Sequence, residues 1–414
     1  MIIPMRSLVV YALMLFSARS VGQFWDQRAD FPSTAYSGYG FSIGERVYAG
    51  GGIGSLSPFA MYSGFQEYLP GSDTWVQRAP LPGPERYGTS GFSVNGKGYV
   101  LAGWGTSALT DVWEYDPIAD SWTQKSSFPG AARYTHVSVG VGNKAYVGLG
   151  YNPWMNDWWE FDPIADTWTQ RAPLPGAGRQ SCGAFVIDGN VYVTVGASDV
   201  NNITATLHTE LYRYTPANDT WTLRSPFPAL GRAIPYCFSF DGVGYVIGGS
   251  TGDANGHSVL NDAWAYSPLS NGWYQLGLFP GIPMYGGFAC TTSLNAYIGT
   301  GSTAISNSSW GATSLTPAFW EYSPSGLVGI TELTAENDLL VQPMGDGLLV
   351  RWDATRDART LRLFDGTGRL VREQAVQASH GQAFCATGNL GTGAYVVHLV
   401  GAKESRHRKV VVVN

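Results

Sequence analysis

Apolar and polar positions alternate along this chain in short runs broken by Gly, Asn and Asp, and four kinds of run follow one another before the cycle restarts. A Gly/Ser-rich alternating run leads into a tight turn such as Asp188-Gly189-Asn190. A Tyr-Val run ending in Gly comes next, then a segment of the Val112-Trp113-Glu114-Tyr115 type, then a run that begins at a Trp. Alternation of period two bounded by turn residues is the mark of strands, so each cycle is read as four of them.

The cycle recurs about every 50 residues. Trp25, Trp75, Trp122, Trp168, Trp221 and Trp273 mark it once, and Tyr48, Tyr99, Tyr146, Tyr192, Tyr245 and Tyr297 mark it again, six copies in each series. Tyr68, Tyr115, Phe161, Tyr214 and Tyr266 each precede their Trp by seven residues. The same count from Tyr322 reaches Gly329, so the last copy lacks its Trp, while Trp25 has no third run before it. Trp25 is therefore expected to supply the fourth strand of the sixth sheet, closing a ring and hiding the free edges an open stack would expose. The expected fold class is all-β: a six-bladed β-propeller followed by a small C-terminal β-sandwich.

The repeats resemble kelch repeats. The resemblance rests on the diglycines Gly50-Gly51-Gly52 and Gly248-Gly249, the turns Tyr115-Asp116-Pro117 and Phe161-Asp162-Pro163, and the Trp that follows. The diglycine is degraded to Ala102-Gly103, Leu149-Gly150, Val195-Gly196 and Thr300-Gly301 in the other copies. Within the turns, Pro fixes φ and Asp bonds the backbone two residues on, so Asp116, Asp120, Asp162 and Asp166 are read as turn formers. The Trp residues are read as packing between blades.

Composition fits this architecture. Charged residues make up only 14 % of the chain, against 14 % aromatics, with 53 Gly and a net charge of −6. No basic stripe marks a nucleic-acid partner. Residues 1–22 read as a signal peptide: Arg6, the apolar run from Leu8 to Phe16, and small residues at Ser20-Val21-Gly22. The apolar run falls short of the about 20 residues a membrane span needs, and no other stretch qualifies, so no transmembrane span is expected in the mature chain. Residues 23–326 form the expected propeller, 327–338 a linker and 339–414 the sandwich, with strands expected at Leu348–Trp352, Thr360–Phe364, Arg369–Gln374, Ala394–Val400 and Lys409–Val413. Leu361-Arg362-Leu363-Phe364-Asp365-Gly366-Thr367-Gly368-Arg369, Leu390-Gly391-Thr392-Gly393-Ala394-Tyr395 and the terminal Lys409-Val410-Val411-Val412-Val413 resemble the type A sorting domain of the type IX secretion system, although Val341-Gln342-Pro343 stands where that family has Pro-Asn-Pro. The resemblance implies export in a bacterium of the Bacteroidota or a related group, handling by the type IX machinery, and a secreted or surface-attached product.

Candidate chemistry is sparse. Cys182, Cys237, Cys290 and Cys385 show neither a disulfide framework nor zinc spacing; the first three fall at near-equivalent places in successive repeats and are read as small buried strand residues, with a Cys182–Cys237 bridge left open. Arg86, Arg133, Arg179 and Arg232 each lie 13 residues before the strand-two Tyr of their blades, where Ala35 and Met284 stand in the first and last copies. Propeller symmetry predicts a partial crown of guanidinium groups able to hold carboxylates bidentately, as in kelch domains that bind acidic peptides; the competing expectation is an inter-blade bond from each Arg to a neighbouring backbone or acid. The variable connections between second and third strands carry Trp104, Tyr151, Trp154 and Trp310, flat faces suited to sugar rings or peptide side chains.

A copper site like that of galactose oxidase needs two His and a Cys–Tyr pair, and His136, His208 and His257 occupy unrelated positions. A mutarotase or lyase on this scaffold would use Arg with Glu or His, for which Arg133, His136 and Glu85 could be nominated. No cofactor or metal is expected. The expected function is a secreted or surface module recognising a glycan or protein ligand, with a sugar-acid enzyme and a structural matrix component as the alternatives.

Overall fold

The computed structural model describes residues 25–323, except 201–203, 241, 254–255 and 307–310, and then 339–344, 347–352, 358–365, 370–376, 382–386, 393–401 and 405–412. The signal stretch 1–22, the linker 327–338 and Trp310 lie outside the described residues.

Six four-stranded antiparallel sheets carry the repeats. Blade one comprises Tyr39–Ile43, Arg46–Gly50, Phe65–Leu69 and Thr74–Gln77. Blade two comprises Ser90–Val94, Lys97–Leu101, Val112–Asp116 and Ser121–Lys125, and blade three Val137–Val141, Lys144–Gly148, Trp158–Asp162 and Thr167–Arg171. Blade four comprises Gly183–Ile187, Asn190–Thr194, Leu211–Thr215 and Thr220–Arg224. Blade five comprises Tyr236–Phe240, Val243–Asp253, Gly256–Ser267 and Gly272–Leu278. Blade six takes Phe288–Thr291, Ala296–Gly299 and Phe319–Tyr322 from the last repeat and its outer strand, Trp25–Gln27, from the start of the chain. The first strand of every blade neighbours the first strand of the next around a closed cycle.

A ring of backbone hydrogen bonds ties the heads of these inner strands. Gly88 N–H donates to Ser37 O, Thr135 to Gly88, Ser181 to Thr135, Ile234 to Ser181, Gly286 to Ile234 and Ser37 to Gly286, over 2.6–3.0 Å. All six residues hold positive φ, from 49° at Ile234 to 69° at Gly286. Glycine adopts this conformation freely, whereas a β-branched Ile there is strained.

The outer parts of the blades are locked by a two-point clamp. Trp75, Trp122, Trp168, Trp221 and Trp273 donate their indole N–H to the carbonyls of Ala29, Ala79, Ser126, Ala172 and Ser225, each just past the outer strand of the preceding blade. The backbone N–H of those same five residues is taken by Asp73, Asp120, Asp166, Asp219 and Asn271. The turn Asp thus does more than finish its own turn. Tyr115 donates its hydroxyl to the same Asp120 oxygen that receives Ala79. The indoles do pack between blades: Trp75 lies 4.8 Å from Phe319 and Trp122 5.0 Å from Phe65, ring centre to ring centre.

The second-to-third strand connections, expected as loops, contain paired strands. Ile53–Leu56 pairs with Phe59–Met61, Ala197–Ser198 with Thr206–Leu207, and Ser302–Ile305 with Ala312–Leu315, while in blade five the two middle strands simply run on to Asp253 and Gly256. Alternation in such short, Ser/Gly-rich stretches is too weak to distinguish a hairpin from a loop.

The C-terminal segment forms two sheets. One orders Leu339–Met344, Gly347–Trp352 and Gln382–Ala386; the other orders Leu370–Ala375, Ala358–Asp365, Gly393–Gly401 and Ser405–Val412. Leu348, Val350, Trp352, Leu361, Leu363, Val397 and Leu399 form the core between them. Two of these strands were not expected. Leu339–Met344 carries Pro343, which is tolerated because the strand lies at its sheet's edge. Gln382–Ala386 is short and Ala-rich.

Candidate functional site: the loop face

The four arginines do not form a ligand crown. Arg86 makes two bonds to the Asp111 carboxylate, at 2.6 and 2.5 Å, and further bonds to the carbonyls of Ala102 and Pro84. Arg133 repeats this with Asp157, Leu149 and Ala131, and Arg232 with Asp262, Gly248 and Leu230. Arg179 pairs with Glu210 at 3.1 Å. The Arg133 and Arg232 guanidinium groups also lie 4.6 Å above the rings of Phe128 and Phe227. All four side chains are buried, at 3 % exposure or less, and each partner belongs to the same blade. In Arg86, Arg133 and Arg232 the carboxylate and two carbonyls take four of the five N–H donors and burial shields the last, so these three hold the head of strand one to the start of strand three, whereas Arg179 makes single bonds to Glu210 and Ala177. The readable signal is the acid four residues before the strand-three aromatic that pairs with the Trp. Asp111, Asp157, Glu210 and Asp262 occur in the four blades that carry the Arg, whereas Gly64 and Ala318 occupy that place in the two blades that lack it. Asp111, Asp157 and Asp262 also accept the indole N–H of Trp113, Trp159 and Trp264.

The aromatic residues behave differently. The residue after each Arg position forms an isolated bridge with the residue that follows the diglycine position. In blades two and three both members are aromatic, Tyr87 with Trp104 and Tyr134 with Tyr151; elsewhere the pairs are Tyr36–Ile53, Gln180–Ala197, Ala233–Ser250 and Tyr285–Ser302. The rings of blades two and three run together: Tyr134 lies 5.2 Å from Trp104 and 5.4 Å from Tyr151, Tyr151 lies 5.1 Å from Trp154, and Tyr87 lies 6.4 Å from Tyr134. Most of these contacts are near edge-to-face, which leaves neighbouring faces turned in different directions. All five residues are half-buried. Burial pushes the Tyr134 hydroxyl up to about 12, so it remains a neutral donor and acceptor. The Trp154 indole N–H is buried without a partner among the described residues.

Opposite this sector the face is built up. Leu56, Val259, Ile305, Ala312 and Leu315, from the extra hairpins of blades one, five and six, pack over the buried Tyr36, Ile53 and Tyr285. The hairpins of blades five and six touch, as do those of blades six and one. The long connections expected as free binding loops thus cover one another, and the short ones, Trp104–Thr110 and Tyr151–Asn156, leave a low sector floored by aromatic rings.

The histidines are dispersed. His136 is buried with Nε2 at 2.6 Å from Ser90 Oγ, and Ser138 donates its hydroxyl to the same Ser90 oxygen. Desolvation, and secondarily the charge of Arg133, hold His136 down to about 3, so it is a neutral imidazole at ordinary pH. Its Nδ1 has no partner among the described residues. His208 lies against Ser198 and Glu210, and His257 against the Ser306 carbonyl. The Arg133, His136 and Glu85 combination is not assembled as reactive groups, because Arg133 is filled by Asp157 and His136 is sealed against Ser90. Among the described residues no cluster of three or more His, Cys, Asp or Glu could hold a metal ion, and no helix is long and apolar enough to cross a membrane. The four cysteines are free; burial raises the Cys182 thiol to about 12, and Cys237 is raised likewise.

Comparison with known proteins agrees with this architecture. A family model described as the kelch motif matches residues 85–129, and one described as the secretion system C-terminal sorting domain matches residues 342–413. An F-box/kelch-repeat protein of Arabidopsis thaliana is 34 % identical over 119 residues, which is 28 % of this chain and about a third (32 %) of that relative's length. The solved structure titled "Structure of YjhT" superposes with a TM-score of 0.59 at 17 % identity, covering 70 % of this chain and 95 % of that one. At that identity the likeness concerns the fold.

Proposed function

From the premise that this chain is a kelch-motif propeller exported to the cell surface or beyond by its C-terminal sorting domain, we propose that it is a binding module whose low sector, over blades two and three, takes up a neutral glycan. One observation carries the reading: the bridge position is doubly aromatic only in these two blades, and the rings of Tyr87, Trp104, Tyr134, Tyr151 and Trp154 line one continuous half-buried strip. The C–H faces of a sugar ring stack on such surfaces, while Tyr hydroxyls supply bonds to hydroxyl groups. The arginines of this face are neutralised by their own carboxylates, which removes the basis for an acidic ligand.

The test is a combined glycan and peptide array probed with the secreted protein. Neutral glycans should bind, and W104A and Y151A should each weaken binding at least tenfold with the fold intact. Binding confined to acidic peptides, glycan binding unaffected by both substitutions, or turnover of a sugar acid at low protein concentration would each overturn the proposal.

A further inference from the structure

Comparing equivalent positions around the ring sets apart blade four, where Arg213 and Arg224 stand at two paired positions of the outer edge, and blade five, where both are apolar. In blades one, two, three and six the third strand carries a glutamate, Glu67, Glu114, Glu160 or Glu321, one residue before the aromatic that pairs with the Trp. In each, a cation three residues after the Trp reaches that glutamate: Arg78, Lys125 at 3.7 Å, Arg171 at 2.9 Å and Arg28 at 2.7 Å. In blades one to three the strand-two tyrosine donates to it as well, Tyr48 at 3.1 Å, Tyr99 at 2.7 Å and Tyr146 at 2.8 Å. Blade five has lost both charges together. Ala265 stands for the glutamate and Leu276 for the cation. The residue after the Trp, exposed as Val76, Thr123, Thr169 and Thr222 in blades one to four, is here the half-buried Tyr274. The blade-five edge also departs in backbone, with a bulge between Ala263 and Trp264 opposite Leu276 that the equivalent pairs of the other blades lack.

The residues that meet this altered edge come from the C-terminal sandwich. Leu349 and Phe384 face each other across adjacent strands of its three-stranded sheet. The Phe384 ring lies 5.0 Å from that of Tyr274, and Leu349, buried at 1 % exposure, joins the same apolar cluster as Ala265, with Tyr274, Leu276 and Phe384 packed against it. A charged pair at the blade edge would have to be desolvated under that sheet without compensation, whereas Ala and Leu gain from being covered.

The geometry points to blade five as a dedicated docking surface for the chain's own sorting domain, which therefore rides on the propeller in a fixed place. The full-length double variant Y274T/L276R tests this. Both residues are those that other blades carry at these positions, and both sites lie at the blade's outer edge, so the propeller should fold. Amide exchange at residues 272–278 and 382–386 should quicken at least tenfold in the variant while the inner strands exchange as in the parent. In a second, independent measurement, the full-length variant Y274C/F384C should join its two new thiols under mild oxidation or with a short bifunctional thiol reagent. Unchanged exchange in the first variant, or failure of the folded second variant to cross-link, would overturn the assignment.

Discussion

Trp25 pairs in register with Tyr322, the first described residue of the chain against the end of the last repeat strand, with ring centres 4.9 Å apart. Trp25 also meets Phe279 edge-on at 5.1 Å and is 8 % exposed, so it belongs to the core between blades five and six. W25A should therefore cost about 3–5 kcal/mol in denaturant unfolding, the usual range for deleting a large buried aromatic. W25F should recover more than half of that loss. A stability change below about 1 kcal/mol for W25A would mean that the closing strand contributes little.

Removing an arginine should damage the fold. R133A leaves the Asp157 carboxylate without its two bonds and the Leu149 carbonyl without a donor. Breaking a buried pair from one side typically costs about 3–5 kcal/mol, and because Asp157 is 24 % exposed the lower end applies. The double variant R133M/D157L should be more stable than R133A, as read from thermal unfolding.

The turn clamp can be tested with a substitution the protein already contains. Asn271 does in blade five what Asp120 does in blade two, accepting from both the Tyr hydroxyl of its own blade and the backbone just past the preceding blade's outer strand. D120N should accordingly be nearly neutral, and Asn also tolerates the φ of 47° found there. D120A loses both bonds and keeps the strained φ, for about 2–3 kcal/mol in chemical unfolding.

His136 should make the propeller acid-sensitive. The folded chain keeps it neutral to about pH 3, through burial first and the Arg133 charge second, whereas an unfolded imidazole titrates near 6.5. Between those values the unfolded chain holds the extra proton, so this contribution is complete above about pH 6.5 and is lost as pH falls toward 3. The loss reaches about 5 kcal/mol at most. H136T imitates Thr89, the equivalent residue of blade two, whose hydroxyl bonds the Leu101 carbonyl. Unfolding free energies measured from pH 7 to pH 4.5 should fall less steeply in H136T than in the parent.

Periodicity carried the architecture because it survives local decay: the Trp and Tyr series keep their spacing even where the diglycine has become Leu149-Gly150. The missing sixth Trp was informative for the same reason and led to the Trp25 strand now seen beside Tyr322. The arginine register was legible and their partners were not, because Arg86 and Asp111 are 25 residues apart in sequence and meet only when strand three returns beside strand two. The joint absence of Arg and acid from blades one and six is the sequence signature of that pair. Of the nominated aromatics, Trp104, Tyr151 and Trp154 do lie together, but Tyr87 and Tyr134, hidden beside the arginines as ordinary strand-head residues, complete the strip. The Leu276 and Ala265 exchange was equally readable, yet it acquires meaning only once Leu349 and Phe384 are seen against it.

The hexagon of amides through Ser37, Gly88, Thr135, Ser181, Ile234 and Gly286 has a direction of its own: every N–H looks the same way around the circle. Six peptide dipoles laid head to tail tangentially cancel along the axis, so this collar, unlike a helix end, offers a passing ion neither a positive nor a negative pole. Selectivity on that face is thereby left to the side chains standing above the collar, and a seventh repeat could not be spliced in without reopening it.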